Sequence, residues 1–174
     1  MLFQGQYRFF GTHADKVKSL TAEFDTGKHK LFGTVHEVFQ LAPIVGFLYK
    51  RKVDLNRDVP GDISIFDAEM SRHMDVFLFN YRLIMLLDAD YAADFDTRVD
   101  KAFKDYGTDR AKPDEDLYES YVRGGVDVLY EKLIEPSNAP DDYTKNLYTF
   151  MEDFESRYGQ NADEILDLCR IARS

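Results

Sequence analysis

The sequence predicts an all-α fold, a single compact domain of about six to seven helices with an extended N-terminal arm. Apolar residues recur at three- and four-residue steps along most of the chain, which is the spacing of amphipathic helices. No segment shows a convincing alternation of apolar and polar residues over five or more positions, which also favours an all-α fold. The 174 residues suit one domain, residues 1–174, with 14 Phe and 11 Tyr to fill its core.

The beginning of the chain predicts an arm followed by a short helix. Residues 1–10 mix apolar and polar side chains without helical spacing, so we expect an extended arm lying on the core. Thr12 then resembles an N-cap residue. Val17, Leu20 and Phe24 follow at helical spacing and predict a short amphipathic first helix.

Residues 34–49 are apolar almost all the way round a helical wheel, which predicts a helix buried on most sides. Pro43 lies inside this segment, removes one backbone hydrogen bond and predicts a kinked or broken helix. Residues 53–62 contain Pro60 and Gly61 and show no periodicity, so they predict a loop.

The middle of the chain predicts two more helices. Apolar residues at helical spacing indicate a core helix over residues 63–87, with a short extended piece at residues 63–66 as an alternative for its beginning. A shorter helix is expected over residues 96–106, because Asp96 is a suitable N-terminal residue and Gly107 ends the apolar pattern.

The central helix is predicted over Leu117–Leu133, where apolar residues occupy one half of the wheel. The other half carries the charged residues Glu119, Arg123, Asp127 and Glu131. Gly124 and Gly125 lie on the apolar half, and each costs about 1 kcal/mol relative to alanine. We therefore expect a structural helix-packing notch at these glycines. The alternative is that a ligand or a partner backbone fills it.

The C-terminal residues, 141–174, predict a pair of helices after the break at residues 136–140, which contains two prolines. The first helix is expected from about Asp141 to Tyr158 and the second from Asn161 to Ile171. Their apolar residues recur at three- and four-residue spacing, so each helix should bury one face.

The composition indicates a cytoplasmic protein. Cys169 is the single cysteine, which excludes an internal disulfide and a multi-cysteine metal site. No apolar run approaches the roughly 20 residues of a membrane span, and the first residues lack the basic-then-apolar order of a signal peptide.

The net charge of −10 is unevenly distributed. Residues 1–57 carry nine Lys and Arg against five Asp and Glu, a net charge of +4, whereas residues 58–174 carry 13 against 27, or −14. The candidate contacts to a nucleic acid or a partner are Lys50, Arg51, Lys52 and Arg57. Alternatively, these cations decorate a helix C-terminus and pair with the protein's own acidic half.

The standard catalytic motifs are absent from the sequence. It contains no phosphate-binding glycine loop, no Gly-x-Ser-x-Gly elbow and no His-Glu-x-x-His. The four histidines do not show metal-ligand spacing. The aspartates Asp88, Asp90, Asp94 and Asp96 lack the glycine and distal glutamate of a calcium loop, and we interpret them as a solvated turn with N-capping residues. The sequence therefore predicts no catalytic residues, no cofactor and no metal.

Two segments carry a family resemblance, residues 41–52 and residues 118–129. The chain resembles the small helical proteins associated with bacterial DNA phosphorothioation (Dnd) defence systems. These proteins have an early Ala-Ala-x-x-Gly-Phe helix followed by basic residues, and a late Glu-Tyr-Ala-Asn-Gly-Gly helix. The matching positions here are Ala42, Gly46, Phe47, Glu119, Tyr121, Gly124 and Gly125.

The chain departs from these motifs at Pro43 in the first and at Val122 and Arg123 in the second. Residues 141–174, the predicted C-terminal helix pair, look like a segment added to the family pattern. The resemblance implies an accessory defence protein and assigns no catalytic residue.

The sequence favours a non-catalytic interaction protein, and the resemblance implies that it belongs to a bacterial DNA-modification and phage-defence system. Its expected partner is a protein of the same system, with weak DNA contact as a further expectation and no membrane contact. One alternative is a direct nucleic-acid-binding module that uses the basic N-terminal third. The others are a small enzyme with an unrecognised acidic site and an acidic DNA-mimic inhibitor.

Overall fold

The computed structural model describes residues 2–158 and 162–173. The helices in those residues are α1 (Gly11–Leu20), α2 (Val35–Leu48), α3 (Asp67–Arg72), α4 (Met74–Leu87), α5 (Phe95–Val99), α6 (Lys112–Leu133), α7 (Pro140–Tyr158) and α8 (Ala162–Ala172). A π-helical turn, Asp100–Lys104, continues α5, and a 3-10 turn, Asp109–Ala111, precedes α6. This architecture confirms the predicted mostly helical, single-domain fold. None of the described helices combines the length and apolar character needed to cross a membrane.

The predicted N-terminal arm contains a short strand. β1 (Tyr7–Phe10) pairs antiparallel with β2 (Asp62–Ile65), so that Tyr7 lies opposite Ile65. A four-residue strand is too short to show a clear alternation, so the apolar pattern did not indicate this pair of strands. The extended piece predicted near residue 63 coincides with β2. The first residue of the arm lies outside the described residues.

The first helix begins directly after β1, so the predicted N-cap at Thr12 is wrong. Phe10 occupies the cap position with extended backbone and no side-chain capping bond. The backbone N–H of Gly11 instead donates to the carbonyl of Gly61 at 2.8 Å. Strand pairing thus takes over the role of a polar cap. α1 ends before Phe24, because the chain turns away after residue 20.

Helices α2 and α6 approach each other so closely that glycine is required at the crossing. A Cβ atom built on Gly125 would lie well within 3.0 Å of the carbonyl of Ala42. One built on Gly124 would meet the carbonyl of Arg51 in the same way, and Gly46 faces the carbonyl of Tyr121. The notch at Gly124 and Gly125 is therefore filled by the backbone of this chain.

Helix α2 runs without interruption through Pro43, so a broken helix is not observed. Pro43 is buried, and the helix around it is held against α6 and α4. The amide of Asn80, on α4, also donates to the carbonyl of Gln40 at 2.7 Å, one turn before the proline. Tertiary packing therefore outweighs the local cost of the proline.

The core is built on a cluster of buried aromatic rings. Phe3, from the N-terminal arm, lies with its ring centroid 5.6 Å from that of Tyr118 on α6. Phe39 on α2 and Phe77 on α4 meet edge to face at 4.9 Å. All four side chains are nearly inaccessible to solvent. The arm is thus an integral part of the core, where Phe3 contacts rings on α2, α4 and α6.

The helix predicted over residues 63–87 is divided into α3 and α4, which meet at His73. His73 has φ −110 and ψ 13, outside the helical region, and ends α3. Its carbonyl then accepts the backbone N–H of Phe77 at 3.1 Å and begins α4. The periodicity did not reveal this break, because apolar spacing continues across it.

Two helices, α7 and α8, occupy the region of the predicted C-terminal pair. α7 packs on α6 and α8 packs on α4. The hydroxyl of Tyr158, at the end of α7, donates to the carbonyl of Leu48 at 2.8 Å. The predicted beginning of the second helix at Asn161, and the last residue, Ser174, lie outside the described residues.

Candidate functional site

The middle of the charged half of α6 is covered by the rest of the protein. Arg123 and Asp127 are each only 7% exposed, although the wheel predicted a polar face there. Asp127 Oδ1 accepts a hydrogen bond from Lys16 Nζ at 2.7 Å, and His13 Nε2 lies 3.3 Å from the same oxygen. Both partners are on α1, which packs on α6. Arg123 and Asp127 therefore belong to an internal polar interface, whereas Glu119 and Glu131 at its ends are partly exposed.

Arg123 holds the loop that follows α2. Its Nε donates to the carbonyl of Val53 at 2.7 Å, and the N–H of Val53 donates to the carbonyl of Ser120 at 3.1 Å. Its Nη1 lies 3.3 Å from a carboxylate oxygen of Glu119. The loop over residues 51–61 is thereby fixed against α6, although it has no regular structure of its own.

A cleft of about 270 Å³ opens between this loop and β1. Three arginines from three different segments line it, namely Arg8 on β1, Arg57 on the loop and Arg123 on α6. His13, on α1, also lines it. We call it the arginine cleft. The rest of the lining consists of aromatic residues of β1 together with Gln6, Leu55 and the acidic Glu119.

The guanidinium groups of the arginine cleft are only partly neutralised. Arg8 Nη1 lies 3.4 Å from Asp62, and Arg123 is paired with Glu119 as described above. Arg57 lies over the ring of Phe10, with its Cζ 4.5 Å from the centroid. Within residues 2–158 and 162–173, no carboxylate lies within 4.0 Å of the Arg57 guanidinium. Arg57 is therefore available for an anion.

Tyr7 on β1 is a neutral polar residue that also lines the arginine cleft. Burial raises the pKa of Tyr7, the charge of Glu119 raises it further, and the charge of Arg123 opposes them. Tyr7 thus keeps its proton at neutral pH and is able to donate a hydrogen bond. Planar guanidinium groups and a phenol together suit a carboxylate or phosphate.

The structure does not bring the four predicted basic residues together. Arg51 donates two hydrogen bonds to Glu131 on α6, at 2.9 and 2.6 Å. Lys52 lies over the ring of Tyr121 at 5.0 Å. Lys50 is exposed and lies 3.2 Å from Asp90, on the wall of a different cleft. Arg57 is the member of the predicted set that lines the arginine cleft.

The aspartates after α4 have structural roles. Asp88 is 3% exposed and accepts a hydrogen bond from the hydroxyl of Tyr121 at 2.7 Å, so the prediction of a solvated turn is wrong at this residue. Asp94 accepts the backbone N–H of Thr97 at 2.8 Å and caps α5, as predicted for this segment. The hydrogen bonds from Thr97 lower the pKa of Asp94.

The structure also gathers three residues that the sequence did not connect. His36, Glu69 and His73 place one possible ligand atom each within 4.8 Å of one another. Glu69 and His73 are four residues apart, a spacing that places two side chains on one face of a helix. This four-residue spacing was visible in the sequence and could have indicated a pair of metal ligands. His36 lies on α2, and only the fold brings it to the other two.

No protein-family model, curated protein or solved structure matches this chain.

Proposed function

We propose that this is a non-catalytic, cytoplasmic interaction protein that binds a partner protein through the arginine cleft. The observation that carries the proposal is the convergence of Arg8, Arg57 and Arg123 on one cleft. The partner segment is acidic, because its carboxylates suit the guanidinium groups. The aromatic residues of β1 that line the cleft give the same segment an apolar contact.

The charge distribution of the whole chain supports a protein partner over a nucleic acid. Residues 58–174 carry a net charge of −14, which repels a long polyanion. A partner protein is able to place an acidic segment in the arginine cleft and basic residues against the acidic surface. Two contacts of opposite sign fix the orientation of such a partner.

The biological setting is proposed from the two motifs that resemble the Dnd-associated proteins. On that basis the partner belongs to the same bacterial DNA-modification and defence system. The roles of Asp88 and Asp94 in holding the fold support a non-catalytic protein over an enzyme built on these acidic residues. DNA contact is the weaker candidate, because Arg51 is already paired with Glu131.

Capture of the partner from the native host tests this proposal. The bait is the full chain as wild type, as Arg57→Glu and as Lys50→Glu, and retained proteins are identified and quantified by mass spectrometry. We expect the wild type to retain a protein encoded beside it. Arg57→Glu should weaken that binding at least about tenfold, which corresponds to 1.4 kcal/mol.

Lys50→Glu is the matched control, because it makes the same charge change on an exposed residue outside the arginine cleft. It should retain the partner. Equal loss with both variants would show that only net charge matters. The purified chain is also assayed for turnover of DNA or nucleotide. Turnover that disappears when Asp88, Asp90, Asp94 or Asp96 is changed to alanine would instead establish that the protein is an enzyme.

A further inference from the structure

The residues His36, Glu69 and His73 form a compact donor set between two helices that are distant in sequence. Glu69 Oε2 lies 3.7 Å from His36 Nδ1 and 3.6 Å from His73 Nε2. Their side chains are 17%, 34% and 29% exposed, so the cluster is sheltered yet open to solvent. Two imidazoles and one carboxylate are a ligand set that proteins use for zinc and related ions.

We propose that this cluster binds one divalent transition-metal ion of the zinc class. Ligand atoms 2.0–2.1 Å from a tetrahedral ion lie about 3.3 Å from one another, close to the two nitrogen–oxygen separations observed here. Water completes the coordination. The ion joins the beginning of α2 to the junction of α3 and α4. This site is separate from the arginine cleft and goes beyond the proposed partner-binding function.

The surrounding residues orient the three ligands. Arg72 Nη1 lies 2.7 Å from Oε1 of Glu69, which leaves Oε2 for the ion. The Nε2 atom of His36 lies 3.3 Å from the hydroxyl of Thr34. A metal-ligating histidine usually bonds such a group through its second nitrogen, and this contact fixes the ring while Nδ1 faces Glu69.

One ring must rotate when the ion binds. The two imidazoles are stacked, with centroids 4.2 Å apart and planes at 19°. The lone pair of an imidazole nitrogen lies in the plane of its ring. The lone pairs of two nearly parallel rings therefore do not both point at one ion. His73 lies at the break between α3 and α4, and its side chain is 29% exposed, which leaves space for its ring to rotate.

The test uses the full, untagged chain titrated with Zn²⁺ and, as a spectroscopic probe, Co²⁺. We expect one ion per chain, a saturable rise in melting temperature, and visible Co²⁺ absorption bands that excess Zn²⁺ removes. Mg²⁺ and Ca²⁺, which prefer oxygen ligands, should not produce the rise. Thr34→Val removes the hydroxyl that contacts His36 Nε2. It should weaken Zn²⁺ binding about tenfold, because losing a residue that orients a metal ligand typically has an effect of this size.

Ligand variants locate the site. We expect each ligand variant to weaken Zn²⁺ binding by more than about 100-fold, which is the upper range for losing a residue that only orients a ligand. The variants are His36→Ala, His73→Ala and the nearly isosteric Glu69→Gln. Circular dichroism of the metal-free variants checks that each one folds. His29→Ala is the matched control, because this exposed histidine also contacts a carboxylate, Asp25 at 2.7 Å. Absence of saturable binding, or binding unchanged in the folded variants, would overturn the proposal.

Discussion

At Gly125 the carbonyl of Ala42 occupies the place where a side chain would begin. The obstacle is backbone in the middle of α2, which moves much less readily than the end of a flexible side chain. We therefore predict that Gly125→Ala destabilises the protein, although alanine is the better helix former. The cost should be about 1–3 kcal/mol from overpacking, and Gly125→Leu should cost more.

Thermal unfolding measures this effect, and for a chain of this size about 1 kcal/mol lowers the melting temperature by roughly 2–4 °C. Gly33→Ala is the control, because the atoms nearest to its Cβ would be those of the flexible Glu37 carboxylate, at 3.4 Å. That substitution should be neutral or slightly stabilising. An unchanged melting temperature in Gly125→Leu would contradict the close helix crossing.

The sequence predicted the position of these glycines but not the environment of the charges beside them. A helical wheel separates polar from apolar residues, and Gly124 and Gly125 fell on its apolar half. It does not indicate whether a charged residue faces solvent or a buried partner. Arg123 meets the carbonyl of Val53, 70 positions away, and that contact exists only in the fold.

At the level of elements, Asp127 joins α6 to α1. Burial by itself raises the pKa of Asp127, but the close contacts of its carboxylate with His13 Nε2 and Lys16 Nζ outweigh burial, so the pKa lies below its ordinary value. Asp127→Asn leaves Lys16 of α1 without its anion. We predict a loss of about 3 kcal/mol at neutral pH, since removing one partner of a buried pair is costly.

The pH dependence of this loss follows from the direction of the pKa shift. A lowered folded-state pKa stabilises the protein above the ordinary Asp pKa, and the stabilisation disappears as pH falls through the folded pKa. The wild type and Asp127→Asn should therefore converge in melting temperature at low pH. Asp116→Asn on the same helix, which breaks an exposed pair with Lys112, should change stability by less than about 1 kcal/mol. Equal melting of Asp127→Asn and wild type at pH 7 would contradict the role of Asp127.

Element boundaries were predictable where local chemistry decides them. The helix expected from Asp96 is capped two residues earlier, by Asp94, which also lies in the predicted N-capping segment. Such capping depends on residues only three positions apart. The start of α1 was mispredicted, because the carbonyl of Gly61, 50 positions later, takes the place of a cap. The break at His73 was hidden for a similar reason, since α3 and α4 bury one continuous apolar pattern.

At the level of the whole molecule, the charge asymmetry was readable from the sequence, but the position of the cations was not. Residues 50–52 form one run in the sequence, yet Lys50 and Arg51 contact different elements, Asp90 after α4 and Glu131 on α6. Arg8 and Arg123, 115 positions apart by their numbers, line one cleft. Long-range topology therefore decides which cations act together.

The final prediction concerns duplex DNA. Three arginines in one cleft neutralise at most three phosphates, so the slope of log Kobs against log salt should be no steeper than about −2.7. Raising NaCl from 50 to 200 mM should then weaken binding by about 40-fold at most, from a Kd that is micromolar or weaker. Fluorescence anisotropy of a labelled duplex measures both quantities. Arg57→Glu should abolish the binding and Lys50→Glu should leave most of it, because Lys50 lies outside the arginine cleft. A sub-micromolar, salt-resistant complex that survives Arg57→Glu would make DNA, bound elsewhere, the partner.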